Sequence, residues 1–172
     1  MKIARPAENE YAPFYAGYVA RVPEADILPV LESQIGVIHE LFRRVPAERE
    51  TYRYAPEKWS LREVAGHLGD AERVFGYRAF CVSRGDETPL PGFDEQHYVA
   101  RSGYETRPLS ELVEELVALR QSNVKLLRAV PGSAWALSGN ANGSPITLRA
   151  LGYVMAGHVR HHRAVLEERY GI

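Results

Sequence analysis

Apolar positions recur along the chain in four stretches with a spacing of three and four. Leu28, Leu31, Ile35, Ile38, Phe42 and Val45 form the first. Leu61, Val64, Leu68, Ala71 and Phe75 form the second, and Leu109, Leu112, Leu116, Leu119, Asn123, Leu126 and Val130 the third. Leu148, Leu151, Met155, His158, His162 and Val165 complete the set. This rhythm places each set on one face of a helix. A lone helix cannot bury such a stripe, whereas four of similar length can do so around a shared core. The pattern predicts helices near 26–45, 60–84, 108–130 and 147–170. No alternating polar–apolar run competes with them, so the expected fold is all-α, a four-helix bundle.

The predicted boundaries carry matching signals. Ser60 and Glu63 have the spacing of a capping box, with Trp59 and Val64 as its hydrophobic staple. Thr147 is placed to cap the last helix, with Ile146 and Leu151 as the corresponding staple, and Asp26 to cap the first. Pro29 then falls in the first turn, where proline is tolerated. Gly85-Asp86 ends the second helix and Pro131-Gly132 the third. Residues 1–172 read as one domain, with residues 1–25 as an arm packed on the bundle and a short helical turn around Tyr11–Tyr18. The connection from Asp86 to Arg107 is long for a bundle, a length often associated with function. It carries Phe93, His97 and Tyr98.

Composition narrows the function. Twenty-one Lys and Arg against 22 Asp and Glu give a net charge of -1, which argues against DNA or RNA as the main partner. Cys81 is the single cysteine, so the chain needs no oxidising compartment. No apolar run is long enough to span a membrane, and the segment MKIARPAENEYAPFY contains no apolar stretch of signal-peptide type. The expectation is a cytoplasmic protein acting on a small molecule, without nucleic acid or membrane partners.

The fourth stripe contains an anomaly. His158 and His162 replace apolar residues at two successive core positions. Four residues apart, they project from one face about a turn from each other. One core histidine is ordinarily satisfied by a carbonyl or carboxylate. Two together bury four ring nitrogens, more than an apolar core can pair, whereas a metal satisfies one nitrogen on each ring. His67, on the edge of the apolar arc of the second helix, is the candidate third ligand. His161 and His39 sit on helix flanks and His97 lies in the long loop, which makes them weaker candidates. Three imidazoles leave a coordination position open, the pattern of a catalytic site that ionises water or a thiolate or polarises a carbonyl. Zinc or nickel, with iron, manganese or copper as alternatives, are the ions considered. Binding needs neutral rings, so affinity is expected to fall below about pH 6.5.

Other polar residues on the wheel have two readings each. Glu72 lies within the apolar arc of the second helix. It either forms an ion pair with Arg53, Arg73 or another arginine, or orients a ligand imidazole or serves as a base. Asn123 interrupts the third stripe and is read as fixing helix register. Tyr52, Tyr54, Trp59 and Trp135 fall in loops at the bundle ends, as pocket walls or as simple packing.

The stretch from Glu57 to Leu68, EKWSLREVAGHL, followed by Asp70, Glu72 and Arg73, resembles the second helix of the DinB-like superfamily, also called DinB/YfiT-like metalloenzymes. His158-Val159-Arg160-His161-His162-Arg163 resembles the last-helix motif of that family, and Glu10 to Tyr15 its N-terminal arm. The resemblance implies a bundle with up-down-down-up connectivity and a divalent metal held by His67, His158 and His162. It implies dimerisation, and chemistry of the kind found among relatives: S-transferases and isomerases that use a low-molecular-weight thiol such as bacillithiol or mycothiol, or metal-dependent hydrolases. The sequence thus raises three functions: a thiol-dependent metalloenzyme, a hydrolase in which the same ion activates water, and a non-catalytic metal-binding stress-response protein. A DNA-damage factor contacting nucleic acid is disfavoured by the charge.

Overall fold

The apolar stripes fold into helices close to their expected bounds. The computed structural model describes residues 2–172. In chain order these form α1 (Ala16–Ala20), α2 (Ile27–Arg43), α3 (Leu61–Ser83), α4 (Glu95–Arg101) and α5 (Leu109–Arg128). A hairpin, β1 (Ser138–Ala141) and β2 (Ser144–Thr147), leads into α6 (Leu148–Val165), which runs on as a π-helical turn over Leu166–Tyr170. The capping box at α3 is formed. Glu63 N–H donates to Ser60 Oγ at 3.2 Å, and Ser60 N–H to the Glu63 carboxylate at 2.8 Å. Thr147 Oγ1 accepts from Ala150 N–H and caps α6, while Gly85, in the left-handed region at φ 72°, follows the end of α3.

The bundle consists of α2, α3, α5 and α6. Each of α2 and α3 packs on both α5 and α6, so α2 lies diagonally across from α3, and α5 from α6, while α3 and α5 are neighbours. Contacts give the directions. Along α3 and α5 residue numbers rise together: Ser60 meets Glu105, Glu72 meets Arg120, and Gly76 lies against Asn123. Along α2 and α6 they also rise together, with Ile27 against Gly152 and Gln34 bonded to Ala156. Between α2 and α5 they run opposite, since Gln34 meets Arg120 and Glu32 meets Arg128. The topology is up-down-down-up, so the segment joining the parallel α3 and α5 crosses back along the length of the bundle, and the one joining α5 to α6 crosses an end.

Those crossings contain structure that hydrophobic spacing did not reveal. Within 86–107, Asp94 accepts from His97 N–H and caps α4, and a 3-10 turn spans Tyr104–Thr106. The hairpin is a second departure from the all-helical expectation. Asn142 and Gly143, at φ 54° and 76°, form its tight turn, and Asn-Gly is the dipeptide such turns favour. Its strands are four residues long, too short for alternation to register. Leu90 N–H donates to the Asn140 carbonyl, and Asn142 N–H donates to the Leu90 carbonyl, tying the hairpin to the α3–α4 segment.

Two local expectations are corrected. Asp26 does not cap α2 with its side chain; its Oδ1 accepts from Ile3 N–H at 3.0 Å and pins the arm. The buried face of α5 is Leu109, Leu112, Val113, Leu116, Arg120, Val124 and Leu127, so its second half turns away from the Leu119–Asn123–Leu126 stripe. A strict heptad stripe drifts about 20° per heptad from a straight α-helix. That drift replaces Asn123 by Arg120 at the centre of the bundle. α6 is buried on nearly all sides, because α1 and the arm cover the face that the other helices leave open. No helix among the described residues is long and apolar enough to cross a membrane.

Candidate metal centre

His67 rises from the second turn of α3, and His158 and His162 from the second half of α6, at the contact between the two helices. His67 and His158 are buried and His162 is partly buried. One ring nitrogen from each lies within 4.8 Å of the other two. The Nε2 atoms of His67 and His158 are 3.2 Å apart. Two nitrogens bound tetrahedrally to zinc at about 2.05 Å would stand about 3.3 Å apart, so this edge fits a shared cation. Ring centroids are 4.6 to 5.1 Å apart around the triangle.

Hydrogen bonding alone leaves the cluster short of partners. His67 Nδ1 is buried without one. One proton between the two Nε2 atoms would satisfy that pair, yet His67 would still hold an unpaired ring nitrogen in either tautomer. Burial is also the largest influence on the protonation of all three rings. It brings His67 down to about 4, helped by His161. Burial and the neighbouring imidazoles hold His158 and His162 well below the ordinary value. The rings are therefore neutral near pH 7, the state a metal ligand requires. The residues present fit a divalent ion.

Aromatic rings wall the cluster. Trp59 lies over His67 at 4.6 Å, and Tyr18 of α1 and Phe75 of α3 stand edge-on to His158 at 5.4 and 5.7 Å. The Tyr170 hydroxyl of the π-helical turn donates to the Trp59 carbonyl at 2.6 Å and holds that segment in place. Tyr52 and Tyr54 pack edge-on against Tyr170, and Trp135 is buried in the other half of the core. Of these four loop aromatics, only Trp59 stacks on a cluster histidine.

The remaining histidines stay outside the cluster. His161 points to the flank, edge-on to Tyr18. His39 is exposed beside Phe42, and His97 is exposed on α4. Glu72 forms the ion-pair alternative. Its carboxylate receives Arg120 Nε and Nη2, each at 2.8 Å, and Asn123 Nδ2, also at 2.8 Å. Arg120 Nη1 donates to Gln34 Oε1 at 2.6 Å, and Gln34 Nε2 donates to the Ala156 carbonyl. The carboxylate makes no hydrogen bond to an imidazole among the described residues. Asn123 of α5 donates to the Glu72 carbonyl and carboxylate of α3 and so braces this buried network across the two helices.

His67 and His158 open onto a cleft of about 100 Å³ between the arm, α3, α6 and the α3–α4 segment. Larger hollows, of about 260 and 390 Å³, lie elsewhere along α2 and have no such cluster. The cleft also receives Tyr15, Tyr18, Arg78, Glu95 and Asn142, none of them singled out by sequence reasoning. Burial and Asp94 raise the Glu95 carboxyl. Arg78 carried a readable signal. The stripe Ala71–Phe75 continues four-three-four through Arg78 to Val82, which puts an arginine at a core position.

Comparison with known proteins agrees with this architecture. A profile of the DinB superfamily matches residues 31–166. Among solved structures the chain is similar to YfiT from Bacillus subtilis, described as a probable metal-dependent hydrolase with an unusual four-helix bundle topology. The TM-score is 0.75 at 20% identity, over 96% of this chain and 93% of that one. It is also similar to a mycothiol-dependent maleylpyruvate isomerase, with a TM-score of 0.65 at 13% identity, over 80% of this chain and 58% of that one. At these identities the likeness establishes the fold. No curated protein matches the sequence. The profile spans most of the chain: the protein belongs to the DinB superfamily.

Proposed function

We propose that this protein is a metal-dependent enzyme in which His67, His158 and His162 hold one divalent cation, and that its nucleophile is a low-molecular-weight thiol. The observation that carries the reading is the convergence of three neutral, largely buried imidazoles beside a cleft. A divalent ion there would lower the pKa of a bound thiol or water near neutral pH. The chain's own contribution is to present neutral nitrogens, to exclude bulk water with Trp59, Phe75 and Tyr18, and to leave room for a small molecule on one side only. The described function of the isomerase neighbour supports the thiol form. That of YfiT supports a second form, hydrolysis, in which water takes the same place.

Elemental analysis of the purified parent and a His67→Ala variant tests the centre. About one metal per chain in the parent and much less in the variant is the expected result; equal content in both overturns it. Turnover of a chromogenic electrophile by the metal-loaded protein, with a panel of thiols against water alone and with His162→Ala as control, separates the two chemistries. A rate that needs a thiol supports the transferase form. A thiol-independent rate supports hydrolysis.

A further inference from the structure

Two arginines are buried in this protein, and they differ in one respect. Arg120 is neutralised by a two-point pair with Glu72. Arg78, at 2% exposure, has no carboxylate within 4.0 Å among the described residues. Its Nη1 donates to the Tyr15 hydroxyl at 3.1 Å and its Nη2 to the Pro91 carbonyl at 2.7 Å. A guanidinium has five N–H donors in a fork shaped for an oxyanion, so three remain without a protein partner. A buried charge left unpaired is costly and is ordinarily matched by something. Tyr15, having accepted from Arg78, still has its own hydroxyl proton to donate.

Arg78 lines the same cleft as His67 and His158 and is the one arginine or lysine among the described residues that line it. Glu95, the carboxylate of this cleft, is exposed at its mouth and is not paired with Arg78. The enclosed volume, about 100 Å³, is below the roughly 300–1,000 Å³ of sites that bury a drug-sized ligand. It suits the end of a small acid.

We infer that Arg78, supported by Tyr15, is the anion-recognition residue of this cleft, and that the substrate is a small carboxylate-bearing molecule whose carboxylate sits on Arg78 while its reacting end faces the three imidazoles. The placement of the reacting end rests on the reading of the imidazole cluster given above; the carboxylate site does not.

The test compares propionate and succinate with propionamide by ligand-observed NMR and by thermal shift. It uses the parent, both metal-loaded and metal-stripped, with Arg78→Gln, Arg78→Lys and His162→Ala. Hydrogen bonds to a charged group set the scale at about tenfold or more. The parent is expected to bind the acids at least tenfold more tightly than the amide, with or without metal. Arg78→Gln loses that preference, Arg78→Lys keeps part of it, and His162→Ala keeps it in full. The parent's own acid-against-amide difference in thermal shift needs no variant, so misfolding of Arg78→Gln leaves the inference open to refutation. Acids that bind the stripped parent no better than the amide, or not at all at tens of millimolar, overturn it. So does a folded Arg78→Gln that keeps the preference. Metal content is read separately. A parent that takes up no metal when offered it yet prefers acids would sink the metal reading and leave the carboxylate site standing, whereas a parent that holds metal but shows no preference for acids would do the opposite.

Discussion

Replacing Arg120 by Met separates the structural from the chemical role of Glu72. Arg120 is fully buried, and its guanidinium makes the two 2.8 Å bonds to Glu72 and the 2.6 Å bond to Gln34. Its removal leaves the Glu72 carboxylate buried with Asn123 as its side-chain donor, and Gln34 Oε1 without one. Breaking a buried ion pair from one side costs about 3–5 kcal/mol, and an orphaned acceptor adds about 1 kcal/mol. In a chain of this size each kcal/mol lowers Tm by about 2–4 °C. Thermal denaturation of metal-stripped protein, followed by circular dichroism, should show a fall of roughly 10–20 °C. The double variant Glu72→Leu/Arg120→Met removes both charges and should recover much of the loss, because an apolar replacement of a buried pair is often neutral or stabilising. An Arg120→Met variant within about 1 kcal/mol of the parent would refute the reasoning, as would a double variant no better than the sum of its parts. Metal content in the folded double variant should equal that of the parent. A marked fall would show that Glu72 acts on the imidazoles after all.

The same network shows where sequence reading stops. The four bundle helices, their approximate bounds and two of the three expected side-chain caps were legible because they depend on neighbours within one turn. Thr147 and Ser60 act through amides three residues ahead. Asp26 has the residue type of a cap, but its carboxylate is taken by Ile3, 23 positions away, and no local rule weighs that competition. The convergence of His67 with His158 and His162 was legible because four apolar stripes constrain which faces meet, and an imidazole on such a face can only point inward. Arg120 was not legible from a stripe extrapolated at 3.5 residues per turn, since a straight helix turns Leu119 and Asn123 off the seam and brings Arg120 onto it. Arg78 was legible in principle by carrying the α3 rhythm one step past Phe75. The hairpin was announced only by Asn142-Gly143, a signal of two residues against a surrounding pattern of helices.

Two further outcomes test the site from its surroundings. Burial holds His67 neutral down to about 4, while in the unfolded chain it takes a proton near 6.5. The unfolded state therefore binds more protons in that window, and stability falls as pH drops from about 6.5 to about 4. A shift of this size corresponds to about 3 kcal/mol. Melting curves of metal-stripped protein should lose about 6–12 °C across the window, with a shallower slope in His67→Phe; a flat profile in the parent would contradict the burial of the ring. For as long as the chain stays folded, retention of metal should extend below the pH 6.5 limit expected of an unshifted imidazole. The other outcome concerns Gly157, where a Cβ would overlap the Tyr18 carbonyl oxygen. That oxygen belongs to the backbone of α1, so no side chain can yield and the arm must move. Overpacking of this kind costs about 1–3 kcal/mol, and more where backbone is displaced. The imidazoles sit on α3 and α6, which also pack directly on each other, so Gly157→Ala should keep close to the parent's metal content. Tyr15 and Tyr18 lie on the displaced segment, and Arg78 loses its support when Tyr15 shifts. Acid binding should therefore weaken severalfold in a protein whose metal is still in place. A Gly157→Ala variant with the parent's Tm and acid affinity would mean that the arm does not wall the cleft, and Arg78 would then face solvent instead of a ligand.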